Sequence, residues 1–188
     1  LYLESATALF VEAARNALAD AGLAASDIDT VVTISSTGIA TPTLEARAFG
    51  EIGFRSDLHR VPVFGLGCAG GVSGMAIAAR LARAMPGSNV LMVSIETCTL
   101  NFRDDRLSKA DVIASVLFGD GAAAACLTTG DAAASAPAIG EGEEHLWPDT
   151  LGIMGWDVDA AGFGVIFDRS IPSFVEAHFR DAAAACLA

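Results

Sequence analysis

Val61-Pro62-Val63-Phe64-Gly65-Leu66-Gly67-Cys68-Ala69-Gly70-Gly71 is the stretch on which the reading of this chain turns. Val61 to Leu66 reads as a short apolar strand, and a helix follows from about Val72 to Met85, ended by Pro86-Gly87. That helix is apolar over most of its surface until Arg80 and Arg83, so its first half is expected to be buried. A cysteine between an apolar strand and the first turn of a buried helix meets unpaired N–H groups and positive potential, which favour thiolate over thiol. Gly70 and Gly71 are expected to leave room for a thioester, and the N–H groups near Cys68 to face an oxyanion. A free cysteine taken alone is usually a small core residue. The Gly-Cys-Ala-Gly-Gly context after a strand favours a nucleophile.

Outward from this point, helices and strands alternate. Residues 4–21 carry Leu9, Phe10, Ala13, Ala17 and Leu18 at helical spacing, with Gly22 as a stop. Thr30 to Ser35 reads as a strand, and Pro42 opens a helix through about Glu51. Val90 to Ile95 is a strand, Leu107 to Ser115 is helical, and Val116 to Leu127 is a strand interrupted by Gly119-Asp120-Gly121. Residues 128–138 read as a loop, Ala138 to Glu144 as a further strand, and Trp147-Pro148-Asp149 as a polar turn. Val165 to Phe167 is a strand core. A last helix starts near Ser170, with Ile171, Phe174, Val175 and Phe179 on one stripe. The alternation implies an α/β fold whose largely parallel sheet is covered on both faces. Both ends, Leu1 and Ala188, fall in helix-like segments and look cut. The pattern fits a fold of two similar halves: residues 1–150 supply most of the first and 151–188 the start of the second.

The bulk numbers bound the function. In 188 residues, 53% are hydrophobic and 18% charged, which is the composition of a chain with much buried surface. The net charge is −12 and no run of Lys or Arg appears, which argues against a nucleic-acid partner or a basic membrane-surface helix. An anionic substrate would need a local basic patch against this field. The four cysteines, Cys68, Cys98, Cys126 and Cys186, form no C-x-x-C pair, and no histidine sits at metal-ligand spacing. They read as thiols of a reducing compartment. Val112 to Leu127 is too short and interrupted to span a bilayer. A soluble, cytoplasmic protein without a metal is expected.

Four motifs then act together: Gly67-Cys68-Ala69-Gly70-Gly71, Glu96-Thr97-Cys98-Thr99-Leu100-Asn101-Phe102, Leu117-Phe118-Gly119-Asp120-Gly121-Ala122-Ala123-Ala124 and Met154-Gly155-Trp156-Asp157-Val158. In this order and spacing the chain resembles the type III polyketide synthases, the chalcone synthase-like branch of the thiolase superfamily, over nearly its whole length. The last motif points to bacterial members. The resemblance implies a thiolase-like layered fold and a homodimer, with acyl-CoA and malonyl-CoA as substrates and no cofactor beyond these coenzyme A thioesters. Cys68 matches the acyl-accepting nucleophile and Phe118 a gatekeeper between coenzyme A tunnel and cavity. Ser36 and Thr37 match small polar cavity residues, and Thr41 a residue reaching across the dimer interface, with a surface threonine as the alternative. Cys98 and Asn101 stand where plant relatives carry threonines. A cysteine at the Cys98 position resembles synthases of alkylpyrones or alkylresorcinols that take long fatty acyl starters; inert packing is the alternative for it. Val165 replaces a second gatekeeper phenylalanine and would widen the cavity, whereas Trp156 replaces a glycine and would narrow it. Asp120 and Glu96 read as structural acceptors, the first in a turn, the second under the site.

The family's reaction also needs a histidine and an asparagine to hold the thioester oxygen and the enolate. His59, His145 and His178 lack the His-Pro-Gly-Gly-Pro context of that histidine and read as exposed or packing residues. The resemblance therefore places the histidine and asparagine beyond this chain, which alone lacks a complete catalytic set. Two further readings stand beside this one. A ketoacyl synthase III-like enzyme would perform a single condensation with acyl carrier protein. A non-catalytic dimerisation module would carry no acyl group.

Overall fold

The computed structural model describes residues 1–130 and 136–187. They fall into two compact units, Leu1–Thr97 with Asp120–Glu141, and Cys98–Gly119 with Gly142–Ala188.

The first unit contains α1 (Tyr2–Ala21), β1 (Thr30–Ile34), α2 (Leu44–Ile52), β2 (His59–Val63), α3 (Gly70–Ala84), β3 (Val90–Thr97) and β4 (Asp120–Leu127). The sheet order is β2-β1-β3-β4. β1 runs parallel to both β2 and β3, and β4 is antiparallel to β3. Parallel neighbours require crossovers, and α2 and α3 supply them. Burial follows the two-residue period of a strand. Val31, Leu91, Val93 and Ile95 pack with Phe10, Ala14 and Ala48 of α1 and α2 on one face. Val32, Ile34, Val90 and Met92 pack with Ala78, Ala79 and Ala82 of α3 on the other. Burying a side chain such as Phe10 or Ile34 contributes about 1.5–3 kcal/mol.

Small residues set how closely α3 approaches. A Cβ added at Gly70 would lie 2.7 Å from Ile34 Cγ2, and one at Gly74 would lie 2.7 Å from Ile34 Cγ1. The two glycines are one helical turn apart, so α3 presents a notch that receives Ile34. The expected burial of the first half of α3 holds on this face only: Gly70, Ser73 and Gly74 are buried, while Val72 is 76% exposed.

The second unit contains α4 (Lys109–Leu117), the antiparallel hairpin β5 (Met154–Asp159) and β6 (Gly162–Phe167), and α5 (Ile171–Leu187). Ser108 and Asp111 form a reciprocal cap at the start of α4. The Ser108 hydroxyl bonded to Asp111 holds that carboxyl below the usual range. Trp147 packs edge-on against Phe174 of α5, with ring centres 5.3 Å apart. Val175 and Phe179, expected on the same apolar stripe, are exposed.

Several boundaries differ from expectation. Val116 and Leu117 continue α4 instead of opening β4, because the capped helix runs on until Phe118 N donates to Ala114 O at 2.9 Å. Asp120 is the first residue of β4, opposite Thr97, and not a turn residue. Ala138 to Glu144 is not a strand. There the carbonyls of Ile139 and Gly140 accept from Arg83 Nη2 at 2.6 and 2.9 Å, and Glu141 pairs with Arg83 Nη1 at 2.8 Å. An arginine thus takes carbonyls that a neighbouring strand would have used. Part of the expected 128–138 loop, residues 131–135, lies outside the described residues. β5 went unrecognised in the sequence, although Met154, Trp156 and Val158 alternate with Gly155, Asp157 and Asp159 as a strand requires.

Candidate active site

In the first unit the chain leaves β2 at Val63, three residues earlier than a strand through Leu66 would allow. Gly65 and Gly67 take φ of +91° and +54°, a region that side-chain-bearing residues rarely adopt. This turns the chain into a 3₁₀ turn, Gly67–Ala69, that runs directly into α3 at Gly70. Cys68 is the central residue of that turn, and its thiol is exposed. Ala69 stands at the cap position of α3 and offers no side-chain hydrogen bond to its first N–H groups. The space at Gly70 is filled by Ile34, so of the two glycines expected to admit a thioester only Gly71 has open space at its Cβ position.

The loop after β1 is built around Glu96. Its carboxylate accepts from Ser36 N at 3.0 and 3.1 Å and from Thr37 Oγ1 at 2.7 Å. Thr37 Oγ1 in turn accepts from Thr97 N at 2.8 Å. Ser36 Oγ then accepts from Gly67 N at 2.9 Å, one residue before Cys68. A continuous path of hydrogen bonds therefore runs from Glu96 through Ser36 to the cysteine turn. Burial pushes the Glu96 carboxyl up from its usual value, and the hydrogen bonds from Thr37 and Ser36 oppose that rise. Tyr2 closes the loop from α1: its hydroxyl lies 2.9 Å from Ser35 Oγ, and its ring occupies the space a side chain at Gly38 would need. Ser36 and Thr37 are both buried. Thr41 lies outside this network, exposed, before a cis peptide bond to Pro42; its carbonyl accepts from Arg47 Nη2 at 3.5 Å.

In the second unit the remaining five candidates, Cys98, Asn101, Phe118, Trp156 and Val165, line one cavity of about 340 Å³. Trp156 and Val165 are direct partners across β5 and β6, so the two positions with opposite expected effects on cavity width are neighbours on one wall. Phe118 meets Phe167 edge-on at 6.1 Å between ring centres. Asp111, Ala114, Ser115, Phe163 and Arg103 complete much of the lining and were not singled out in the sequence. Residues 111, 114, 115 and 118 share one helix face, so the register of α4 was the available signal.

Among the described residues no histidine lines this cavity or joins the Glu96–Ser36–Gly67 path. His59 begins β2 and is exposed. His145 and His178 are exposed and lie against Trp147, with ring centres 4.6 and 6.1 Å away. Cys126 donates to Ala17 O at 3.7 Å, and burial pushes its thiol up to about 11. Among the described residues no group of three or more His, Cys, Asp or Glu side chains is placed to hold a metal ion. No helix there is long and apolar enough to cross a membrane.

A largely parallel sheet between helices, closed at one edge by the antiparallel β4 and with a glycine-turned cysteine at the start of the helix after β2, defines an α/β protein of the thiolase-like class. Residues 2–131 match the family of chalcone and stilbene synthases, N-terminal domain, and the chain belongs to that family. It is 42% identical over 180 residues to 1,3,6,8-tetrahydroxynaphthalene synthase of Streptomyces peucetius subsp. caesius, covering 94% of this chain and 48% of that protein. It is 43% identical over 155 residues to a putative chalcone synthase of Bacillus subtilis (strain 168), covering 79% of this chain and 42% of that protein. Among solved structures, 1,3,6,8-tetrahydroxynaphthalene synthase of Streptomyces coelicolor A3(2), a bacterial type III polyketide synthase, matches with a TM-score of 0.80 at 31% identity, covering 93% of this chain and 50% of that one. The C-terminal type III polyketide synthase domain of Steely1 from Dictyostelium matches with a TM-score of 0.86 at 28% identity, covering 98% of this chain and 51% of that one. The chain spans about half the length of the curated relatives it matches.

Proposed function

We propose that this chain is the nucleophile-bearing part of a type III polyketide synthase. The observation that carries the reading is the Cys68 turn: an exposed thiol at the start of α3, with the preceding N–H held by Ser36 in a loop anchored on Glu96. The Cys68 thiolate attacks the thioester carbonyl of an acyl-CoA, the coenzyme A thiolate leaves, and the acyl group stays on sulfur. Malonyl-CoA then loses carbon dioxide, and the resulting enolate attacks the acyl carbonyl and releases Cys68. Repeated rounds build a chain that cyclises. The histidine and asparagine that hold the oxygens in this family come from sequence outside this chain. Residues 1–150 serve as the N-terminal half, 151–188 as the beginning of the C-terminal half, and the assembled enzyme is a cytoplasmic homodimer.

The cavity of the second unit supplies the growing chain's wall, with Phe118 as gatekeeper and Cys98 beside it. Its lining by Phe102, Phe118, Trp156, Phe163 and Val165 supports an apolar occupant, and a long-chain fatty acyl starter is the one we favour. Ser36 and Thr37 order the loop beside the nucleophile, and Thr41 reaches toward the partner protomer.

Intact-mass measurement of the complete synthase after exposure to acyl-CoA tests the assignment. An adduct of one acyl group that disappears in Cys68→Ala is expected. Absence of the adduct, or its persistence in Cys68→Ala, overturns it. Product analysis with malonyl-CoA then separates repeated extension and cyclisation from the single condensation of a ketoacyl synthase III-like enzyme.

A further inference from the structure

Arg103 sits in the wall of the second unit's cavity with its side chain only 9% exposed. It makes four hydrogen bonds to carboxylate oxygens. Nε donates to Asp105 Oδ1 at 2.9 Å, Nη1 to both oxygens of Asp159 at 2.8 Å, and Nη2 to Asp105 Oδ2. Its fork is committed to these two acids, which argues against a role in gripping an anionic substrate.

The two acids belong to different walls. Asp105 lies in the segment that joins Cys98 and Asn101 to α4, and α4 leads to Phe118. Asp159 ends β5 at the tip of the hairpin that carries Trp156, Phe163 and Val165. Asp159 also shapes that tip: its Oδ1 accepts from Ala161 N at 2.8 Å and Gly162 N at 3.2 Å, and Gly162 has φ +129°. A second tie runs alongside. Arg106 Nη1 donates to Asp157 Oδ2 at 3.3 Å, and the Arg106 guanidinium fills the space that a side chain at Gly164 would occupy. The Arg103 guanidinium holds the carboxyls of Asp105 and Asp159 below the usual range, so both acids are anions around one cation. With Arg103 removed, two like charges would be left facing each other across the gap between the walls.

We propose that Arg103 is a positioning residue that fixes the width of this cavity by clamping the β5–β6 hairpin to the segment before α4, and so sets the length of acyl chain the synthase accepts and extends. The proposal rests on the polyketide synthase reading and adds a specificity determinant to it. Arg103 need not touch the substrate; it decides how far Trp156, Phe163 and Val165 stand from Phe118 and Cys98.

The test compares the complete synthase with its Arg103→Met, Arg103→Lys and Asp159→Asn variants, using a series of saturated acyl-CoA starters and malonyl-CoA. Arg103→Met is expected to shift the ratio of long-starter to short-starter kcat/KM by about tenfold toward long, with longer products. Arg103→Lys keeps the charge but not the fork and falls between wild type and Met. Asp159→Asn shifts the ratio in the same direction as Arg103→Met. Acylation of Cys68 is read by intact mass in every sample. If the wild type acylates and extends while the folded variants keep its chain-length ratio, the clamp proposal is overturned and the synthase reading stands. If Cys68 in the wild type takes no acyl group, the synthase reading itself fails. Should Arg103→Met not fold, Arg103→Lys and Asp159→Asn decide the matter on the same ratio.

Discussion

Ser36 Oγ accepts a hydrogen bond from Gly67 N at 2.9 Å, which couples the loop after β1 to the turn that presents Cys68. The two residues are 31 positions apart in sequence. The contact holds the turn in the conformation that the left-handed Gly67 defines.

Ser36→Ala removes this acceptor and leaves the Gly67 N–H without its partner. The net worth of such a bond is about 1 kcal/mol, so the rate of Cys68 alkylation by iodoacetamide is expected to fall about fivefold. Cys126 is the internal control: at about pH 8 its buried, proton-holding thiol stays unmodified in both proteins. Peptide mapping after timed alkylation reads both sites. An unchanged Cys68 rate in Ser36→Ala would remove the coupling from the site.

Glu96 makes the fold sensitive to pH in a direction opposite to a surface-paired carboxylate. Its folded-state pKa is raised, so the native state holds the proton more tightly than the unfolded chain. Its contribution to stability is present below the ordinary glutamate pKa and is lost as pH rises through the raised value. Glu96→Gln carries no such titration. Thermal unfolding from about pH 4 to about pH 8 is expected to show wild type losing ground to Glu96→Gln as pH rises. A constant difference between the two melting curves across that range would contradict the sign.

Gly74→Ala drives a methyl group into Ile34, which a packed sheet face cannot absorb without movement. A loss of about 1–3 kcal/mol in stability is expected. Ile34→Val removes the Cδ1 atom that the new methyl meets, so the double variant recovers part of that loss despite the cost of Ile34→Val alone. Chemical denaturation of the four proteins gives the coupling. Strict additivity would mean that α3 is not held off Ile34 by this contact.

The sequence carried the alternation that makes the first unit. β-branched and apolar runs at residues 30–34 and 90–97 are buried on both sides, and such strands are recognisable without any partner in view. The turn at Cys68 was legible because its neighbours are glycines whose use is conformational. The Glu96–Ser36–Gly67 path was only partly legible. A carboxylate under the site could be suspected from the residue type, but its acceptors and donors lie 31 to 60 residues apart and meet only after three strands have paired. The helical wall of the cavity was hidden by a boundary error: reading Val116 as strand broke the register that puts Asp111, Ala114, Ser115 and Phe118 together. Arg103 was passed over because its meaning lies in Asp159, 56 residues on.

The sheet order has a consequence for how the chain is made. β1 sits between β2 and β3, yet it leaves the ribosome first, and its partner Val90 follows Thr30 by sixty positions. At about 5–20 residues per second, synthesis of that interval takes roughly 3 to 12 seconds. For that time β1, which is buried at every position in the fold, has a hydrogen-bonding edge open. During translation the nascent Thr30–Ile34 segment is therefore a place for a holding chaperone to bind, and delayed synthesis of β3 is a route to aggregation.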